Sequence, residues 1–389
     1  MIKTAAMALL ACCTMAQSWA HAESHADGHA DADAQEVAAA RHHFRELAMG
    51  CEVCIEVAGV NEIAASRAAR AGFDRIRRLD EALSDYLPSS ETARLRLACG
   101  ESEPLSEDLY HALALALRVS SATDGAFDAT CGRISRCWRQ TRATGSVPDS
   151  AALDDARAHS GWRHLSLAED PLRVRADCDG MRLDFGGIGK GLAASEALEA
   201  IRAAGSPSAL VAIAGDIACG DPPPNATGWI VRVATGVDGD SGTTLSLANA
   251  CVSTSGDESQ FTLVDGVRHS HIFDPRTGRA LTSPAAATVI ASNGAIADAL
   301  ATAYCVDPEL LIARRDELAR AFGPFDARVV REGNAPRTVR VDATPDFARL
   351  VAPTSSPVPK PAETVRESRQ APAEAAPASA PAASDSADR

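Results

Sequence analysis

Leu183-Asp184-Phe185-Gly186-Gly187-Ile188-Gly189-Lys190-Gly191 reads as a strand end running into a glycine-rich turn and then a helix. Glycine lets backbone N–H and C=O groups come close to a ligand. The helix N-terminus that follows favours an anion. The spacing is neither the Gly-x-x-x-x-Gly-Lys-[Ser/Thr] of a phosphate loop nor the Gly-x-Gly-x-x-Gly of a dinucleotide-binding unit. A doubly wound parallel sheet thereby loses its main signature. The surrounding segments point the same way. Residues 61–84 form an expected helix, with Phe73, Ile76, Leu79 and Leu83 at helical spacing and Asn61 as cap. Further helices are expected over 106–120, 192–204 and 296–306. Strand-like runs occupy 48–59, 208–213, 228–234, 244–247, 260–264 and 287–292. These elements mix without regular βαβ alternation, so the expected fold class is α+β.

The chain has 389 residues and is 46% hydrophobic, enough for one large core. Its net charge of −14 argues against a nucleic-acid partner, because phosphate backbones select basic patches. A phosphate-bearing small ligand needs only local donors or a cation. Residues 1–22 read as an export signal: Lys3, an apolar stretch over 5–16, then a small-residue cleavage site at Ala20-His21-Ala22 or Ser18-Trp19-Ala20. Leu9-Leu10-Ala11-Cys12 is an alternative lipobox that would make the protein an inner-membrane-anchored lipoprotein through Cys12. Either reading places the mature chain in the periplasm or elsewhere outside the cytoplasm. Residues 23–40 read as a linker rich in His and Asp; His21, His25 and His29 would align on a helix to hold a transition metal, but the plainer reading is a solvated segment. Residues 41–350 form the domain, and the Pro/Ala-rich 351–389 read as a disordered tail.

Of 11 cysteines, Cys51 and Cys54 make a C-x-x-C. Cys-Glu-Val-Cys-Ile-Glu-Val alternates like a strand, which turns the two thiols to opposite faces. No second C-x-x-C completes a zinc cage.

The chemistry-bearing segments are individually modest. Asp124-Gly125-Ala126-Phe127-Asp128-Ala129-Thr130 places an aromatic and a carboxylate among small residues, a pattern that suits a nucleotide as well as an ordinary loop. Ala214-Gly215-Asp216 is a strand-to-loop junction with a carboxylate. His271-Ile272-Phe273-Asp274-Pro275-Arg276-Thr277-Gly278 puts an imidazole before a strong turn, because proline fixes φ and glycine accepts positive φ. His269, two residues earlier, would share its face on a strand. Asp298 and Thr302 stand at i and i+4 on one helical face. A base beside two oxygen ligands suits metal-assisted chemistry on a phosphate.

In order, these segments resemble the FAD:protein FMN transferase family, ApbE. The resemblance rests on Met49-Gly50, Leu83-Ser84-Asp85-Tyr86 with Ser89-Ser90-Glu91, Gly125 to Thr130, Leu183 to Gly191, Ala214-Gly215-Asp216, Ser253-Thr254-Ser255-Gly256-Asp257, His271 to Gly278 and Ala297 to Thr302. It implies a single ApbE-type domain related to T-fold proteins. It implies Mg²⁺-dependent cleavage of FAD and attachment of FMN, through a phosphoester, to a threonine of an acceptor redox protein bearing a Ser/Thr-Gly-Ala-Thr type site, with release of AMP. The alternatives are an FAD pyrophosphatase yielding FMN and AMP, or a periplasmic flavin-binding protein with little catalysis. Met49, Tyr86, Ala126, Phe127, Asp128, Asp184, Lys190 and Ile272 would contact FAD. Gly187, through its carbonyl, Asp298 and Thr302 would hold Mg²⁺, and His271 would be the base on the acceptor hydroxyl. The chain departs from the family pattern at Glu258-Ser259-Gln260, where Tyr followed by Glu or Lys and Arg is usual, and at Ala214, Gly189 and Leu95-Arg96. Asp238-Gly239-Asp240-Ser241-Gly242-Thr243-Thr244 resembles an acceptor motif with Thr244 at the modified position. A hairpin loop explains the same residues.

Overall fold

Cys51–Ala58 is the strand whose alternation was visible in the sequence, and it sends Val53, Ile55 and Val57 into the core. It pairs antiparallel with Arg41–Ala48, in register from Arg41↔Ala58 to Ala48↔Cys51. The two-residue connection is Met49-Gly50, with φ of 51° and 73°. Positive φ at both positions matches the twist of a tight hairpin. The computed structural model describes residues 40–352 except 258, 259, 334, 336 and 337. The expected leader, the lipobox at Cys12, the His/Asp segment up to residue 39 and the tail from residue 353 lie outside the described residues, as do Glu258 and Ser259.

The main sheet has eight strands, all antiparallel to their neighbours. Across the sheet they run Arg41–Ala48, Cys51–Ala58, Ala209–Ile213, Asp216–Cys219, Ala250–Gly256, Ala285–Ala291, Phe325–Glu332 and Val339–Ala343. Spatial order follows chain order, so the sheet is a meander interrupted by insertions. This is the α+β arrangement expected, with no parallel crossover.

Three helices cover one face: Glu62–Leu83, Gly189–Ala203 and Gly294–Val306. Asn61 caps the first, its side chain accepting from Ala64 N at 3.0 Å. The Gly294–Val306 helix is buried along nearly its whole length and is dominated by alanine. Small side chains let it approach the sheet and its neighbour closely. At the crossing, a Cβ on Gly191 would stand 2.1 Å from Gly294 O, so the two backbones touch. The opposite face of the sheet is covered by the hairpin Trp229–Val233/Thr243–Leu247 with Phe347, packed on Ala58, Cys219, Val252 and Ile290.

The hairpin reading of 238–244 agrees with the structure. Asp240 accepts from Thr235 Oγ1 at 2.6 Å and from Arg328 Nη2 at 2.6 Å, and Thr244 is a strand residue paired with Arg232. Several elements escaped the sequence reading. Arg41–Ala48 is a largely solvent-facing edge strand with no clear apolar alternation. The insertion over 59–208 holds the helices Gly132–Thr144 and Ser150–Ala158 and the small sheet of Ser102–Pro104, Leu172–Ala176 and Leu165–Glu169. The second covering helix begins at Gly189 rather than 192, because Leu192 N already bonds Ile188 O at 3.0 Å.

Candidate active site

The glycine-rich turn is shaped by Asp184. Its backbone N donates to Ala129 O at 2.8 Å, and its Oδ1 accepts from Gly186 N at 2.7 Å. The turn then passes over the buried helix: a Cβ on Gly187 would lie 2.9 Å from Thr302 Oγ1. Lys190, in the first turn of the following helix, folds back so that Nζ donates to Gly186 O at 3.1 Å and stands 3.7 Å from Asp216 Oδ2. Its side chain keeps 30% exposure. Gly191 N donates to Asp298 Oδ2 at 3.1 Å. Thr302, one turn on from Asp298, shares a hydroxyl contact of 3.1 Å with Ser255. Asp216 Oδ1 accepts from Ser253 Oγ at 2.6 Å. Three segments far apart in sequence therefore meet: the glycine-rich turn, the Ala214-Gly215-Asp216 junction with its Ser253 partner strand, and the Asp298/Thr302 helix.

The cluster is electrostatically tense. Burial raises the Asp298 carboxyl to about 7, and the charge of Asp216 adds to the shift. Asp216 is raised for the same leading reason and is opposed by Lys190. For Lys190, burial disfavours the cation, but Asp298 and Asp216 outweigh it, so the ammonium stays charged. A carboxylate in an alanine-rich interior is costly unless compensated, and one ammonium shared by two carboxylates compensates in part. A hydroxyl and a carboxylate at i and i+4, beside a glycine backbone, form an all-oxygen donor set. That set fits a hard divalent ion such as Mg²⁺.

His271 follows the strand Val267–Ser270 and is half-buried. Its Nδ1 is 3.0 Å from Gln260 O. A carbonyl oxygen only accepts, so Nδ1 carries the proton and Nε2 keeps a free lone pair. Burial lowers the imidazole to about 4, against the Gln260 hydrogen bond, and Arg142 and Lys190 act in the same direction as burial. The ring is thus neutral throughout the physiological range. His269, expected to share its face, belongs to the strand and stacks on Trp138 with ring centroids 5.4 Å apart. Ile272 is buried, and its backbone N donates to Ser270 Oγ at 2.9 Å. The turn itself is closed by Gly278 N donating to Asp274 O at 2.8 Å.

Met49 donates its backbone N to Asp80 Oδ2 at 3.1 Å, and its Cε would lie 3.8 Å from a Cβ on Gly189, beside the start of the site helix. Tyr86 is 70% exposed, with the Arg139 guanidinium 4.1 Å from its ring centroid. Arg139 also pairs with Asp85 and, at 2.9 Å, with Asp184. It therefore ties the Tyr86 segment to the glycine-rich turn. Sequence reasoning missed Arg139 because the Gly132–Thr144 helix is mostly polar and charged, with Ile134 and Trp138 as its only large buried apolar residues. Ala126 and Phe127 are buried in the main core. Asp128, raised by burial, accepts from Thr130 N at 2.8 Å, Thr130 Oγ1 at 2.7 Å and Trp162 N at 3.0 Å. Beside it opens a cavity of about 450 Å³ lined by Gly125, Asp128, Trp162, Arg157, Arg163 and Arg276, among others. Trp162 Nε1 is buried with no hydrogen-bond partner among the described residues, and it would lie 3.8 Å from a Cβ on Gly125.

The model of the ApbE family matches residues 49–319. The FAD:protein FMN transferase of Klebsiella pneumoniae is 27% identical over 300 residues, covering 75% of this chain and 84% of that protein. The FAD:protein FMN transferase of Treponema pallidum is 31% identical over 252 residues, covering 60% and 69%. The ApbE protein of Thermotoga maritima superposes with a TM-score of 0.70 at 26% identity, covering 81% of this chain and 100% of that one. The flavinyl transferase ApbE of Pseudomonas stutzeri gives 0.67 at 25% identity, covering 80% and 97%. These matches define the class as a single-domain α+β fold shared with flavin transferases. The chain belongs to the ApbE family.

Proposed function

We propose that this chain is an exported, Mg²⁺-dependent FAD:protein FMN transferase. It cleaves the FAD pyrophosphate, attaches FMN to a threonine hydroxyl of an acceptor protein through a phosphoester and releases AMP. The observation that carries this reading is the meeting of Lys190, Asp216, Asp298 and Thr302 at the glycine-rich turn. Membership of a family whose named relatives are FAD:protein FMN transferases supports it. The leader-like residues 1–22 support export.

Asp298, Thr302 and the Gly187 carbonyl would hold the ion, which when bound offsets charge on the phosphoryl oxygens. Lys190 brings a permanent positive charge to the same place and orients a phosphate. Arg139 and Tyr86 present a planar cation-backed aromatic surface that suits the flavin or adenine ring. His271 accepts the threonine proton at Nε2, held in the correct tautomer by the Gln260 carbonyl. With the imidazole lowered by burial, Nε2 keeps its lone pair free across the physiological range.

The test mixes the protein with FAD, Mg²⁺ and an acceptor domain bearing an Asp-x-x-Ser/Thr-Gly-Ala-Thr site. Covalent flavin fluorescence on the acceptor, with one AMP per label, is the expected result. AMP and free FMN without labelling, or FAD bound and unchanged, overturn it.

A further inference from the structure

We propose that His164, Asp177 and Cys178 form a second cation site, selective for a borderline-soft ion of the zinc class and separate from the all-oxygen donor set at Asp298. The fold brings these residues together at the open end of a hairpin. Leu165–Glu169 and Leu172–Ala176 pair antiparallel, with Leu165 opposite Ala176. His164 and Asp177 therefore flank the last pair, and Asp177 N donates to His164 O at 3.0 Å. His164 Nδ1 lies 2.5 Å from Asp177 Oδ1. One nitrogen, one oxygen and one sulfur, from His164, Asp177 and Cys178, all lie within 4.8 Å of one another.

A tetrahedral zinc ion has bonds of about 2.0–2.3 Å, which sets its ligand atoms about 3–4 Å apart. An ion replacing the proton between His164 and Asp177 needs those two atoms to separate by about 1 Å. Their side chains keep 43% and 67% exposure, so they are free to move and the ion has a path in. The mixed N, O, S donor set suits zinc and not magnesium. Cys99 is the candidate for the fourth position. It bridges to Ala176, its backbone N donates to Asp179 Oδ1 at 2.8 Å, and its thiol donates to Asp177 O at 3.1 Å.

The site has a task in the fold. His164 ends the short Trp162–His164 turn. The same turn clamps the Gly125–Thr130 segment: Trp162 N donates to Asp128 Oδ2 at 3.0 Å, and Gly161 N to Thr130 Oγ1 at 2.7 Å. A cation at His164 would pin the outer end of that clamp to the small sheet, and so stiffen one wall of the cavity beside Asp128.

The experiment uses the full chain, reduced and stripped of metal, with Mg²⁺ in excess to fill the oxygen site, and titrates in Co²⁺ as a spectroscopic substitute for Zn²⁺. One equivalent should bind with the visible bands of tetrahedral cobalt and a near-ultraviolet thiolate-to-cobalt transition, and Zn²⁺ should displace it. Cys178→Ser should weaken the thiolate transition, and Cys178→Ser combined with Cys99→Ser should abolish it. Both Cys178→Ser and His164→Gln should weaken uptake by about tenfold or more, while their metal-free forms melt with the metal-free wild type. No saturable Co²⁺ uptake, or an octahedral oxygen-type spectrum unchanged in Cys178→Ser, overturns the proposal.

Discussion

Gly191 N donates to Asp298 Oδ2 at 3.1 Å across a helix crossing where Gly191 and Gly294 leave no room for a side chain. The carboxylate is thus held by backbone contact between two helices whose residues are 107 positions apart. Its direction depends on the crossing staying tight. Gly191→Ala should displace both helices, since the new Cβ would stand 2.1 Å from Gly294 O and 2.7 Å from Asp298 Cβ. We expect a stability loss of about 1–3 kcal/mol from overpacking and a higher Mg²⁺ concentration for half-maximal labelling. Thermal melting and a Mg²⁺ titration of acceptor labelling check both.

Asp298→Asn should separate stability from activity. The folded carboxyl titrates at about 7, above the ordinary value of 3.8. A raised carboxyl contributes stability that is fully present below about 4 and is lost as pH rises to about 7. Metal-free Asp298→Asn should therefore melt at or above wild type at pH 8 and lose that advantage at pH 4. Its labelling activity should fall at least about a hundredfold. Melting curves at the two pH values, beside an activity assay, decide it; a variant that is less stable at pH 8 contradicts the prediction.

His271→Ala should slow acceptor labelling by about 10²–10⁴-fold while leaving FAD affinity near wild type. Loss of binding instead would remove the assigned base role. The imidazole is lowered to about 4, so the wild-type rate should show no His271 inflection near 6.5. The same shift has a stability sign. A lowered histidine contributes stability that is present above about 6.5 and lost as pH falls to about 4. Denaturant midpoints from pH 7 to 4 should thus fall more steeply for wild type than for His271→Ala.

Arg139→Met should raise the FAD concentration needed for half-maximal labelling. The substitution removes the cation from the Tyr86 ring and leaves the Asp85 and Asp184 carboxylates facing each other with no cation between them. Breaking a partly buried pair in this way costs about 3 kcal/mol. The apparent KM for FAD should change more than kcat, because Arg139 bears on binding surfaces and not on His271. A change confined to kcat would assign Arg139 a different role.

Local patterns in the chain were sufficient for the long elements. The helix after Asn61, the alternating Cys51–Ala58 strand and the turn at Asp274–Gly278 each carry their signal within a few residues, through capping, period-two burial and fixed φ. The polar Arg41–Ala48 strand does not, because its place is set by what it pairs with, and the mostly charged Gly132–Thr144 helix offers only Ile134 and Trp138 as large buried apolar residues. Arg139 went unseen for that reason.

The site divides along the same line. The oxygen and nitrogen groups, their i and i+4 spacing on Gly294–Val306 and the close-approach glycines are properties of contiguous residues. That Asp298 receives the Gly191 amide, that Lys190 answers two carboxylates at once, and that His271 carries its proton on Nδ1 follow from contacts made across the sheet and between helices. Burial is a property of the assembled molecule. Desolvation in that interior moves Asp298 up and His271 down, and only packed neighbours can remove the water that would otherwise keep both at their ordinary values.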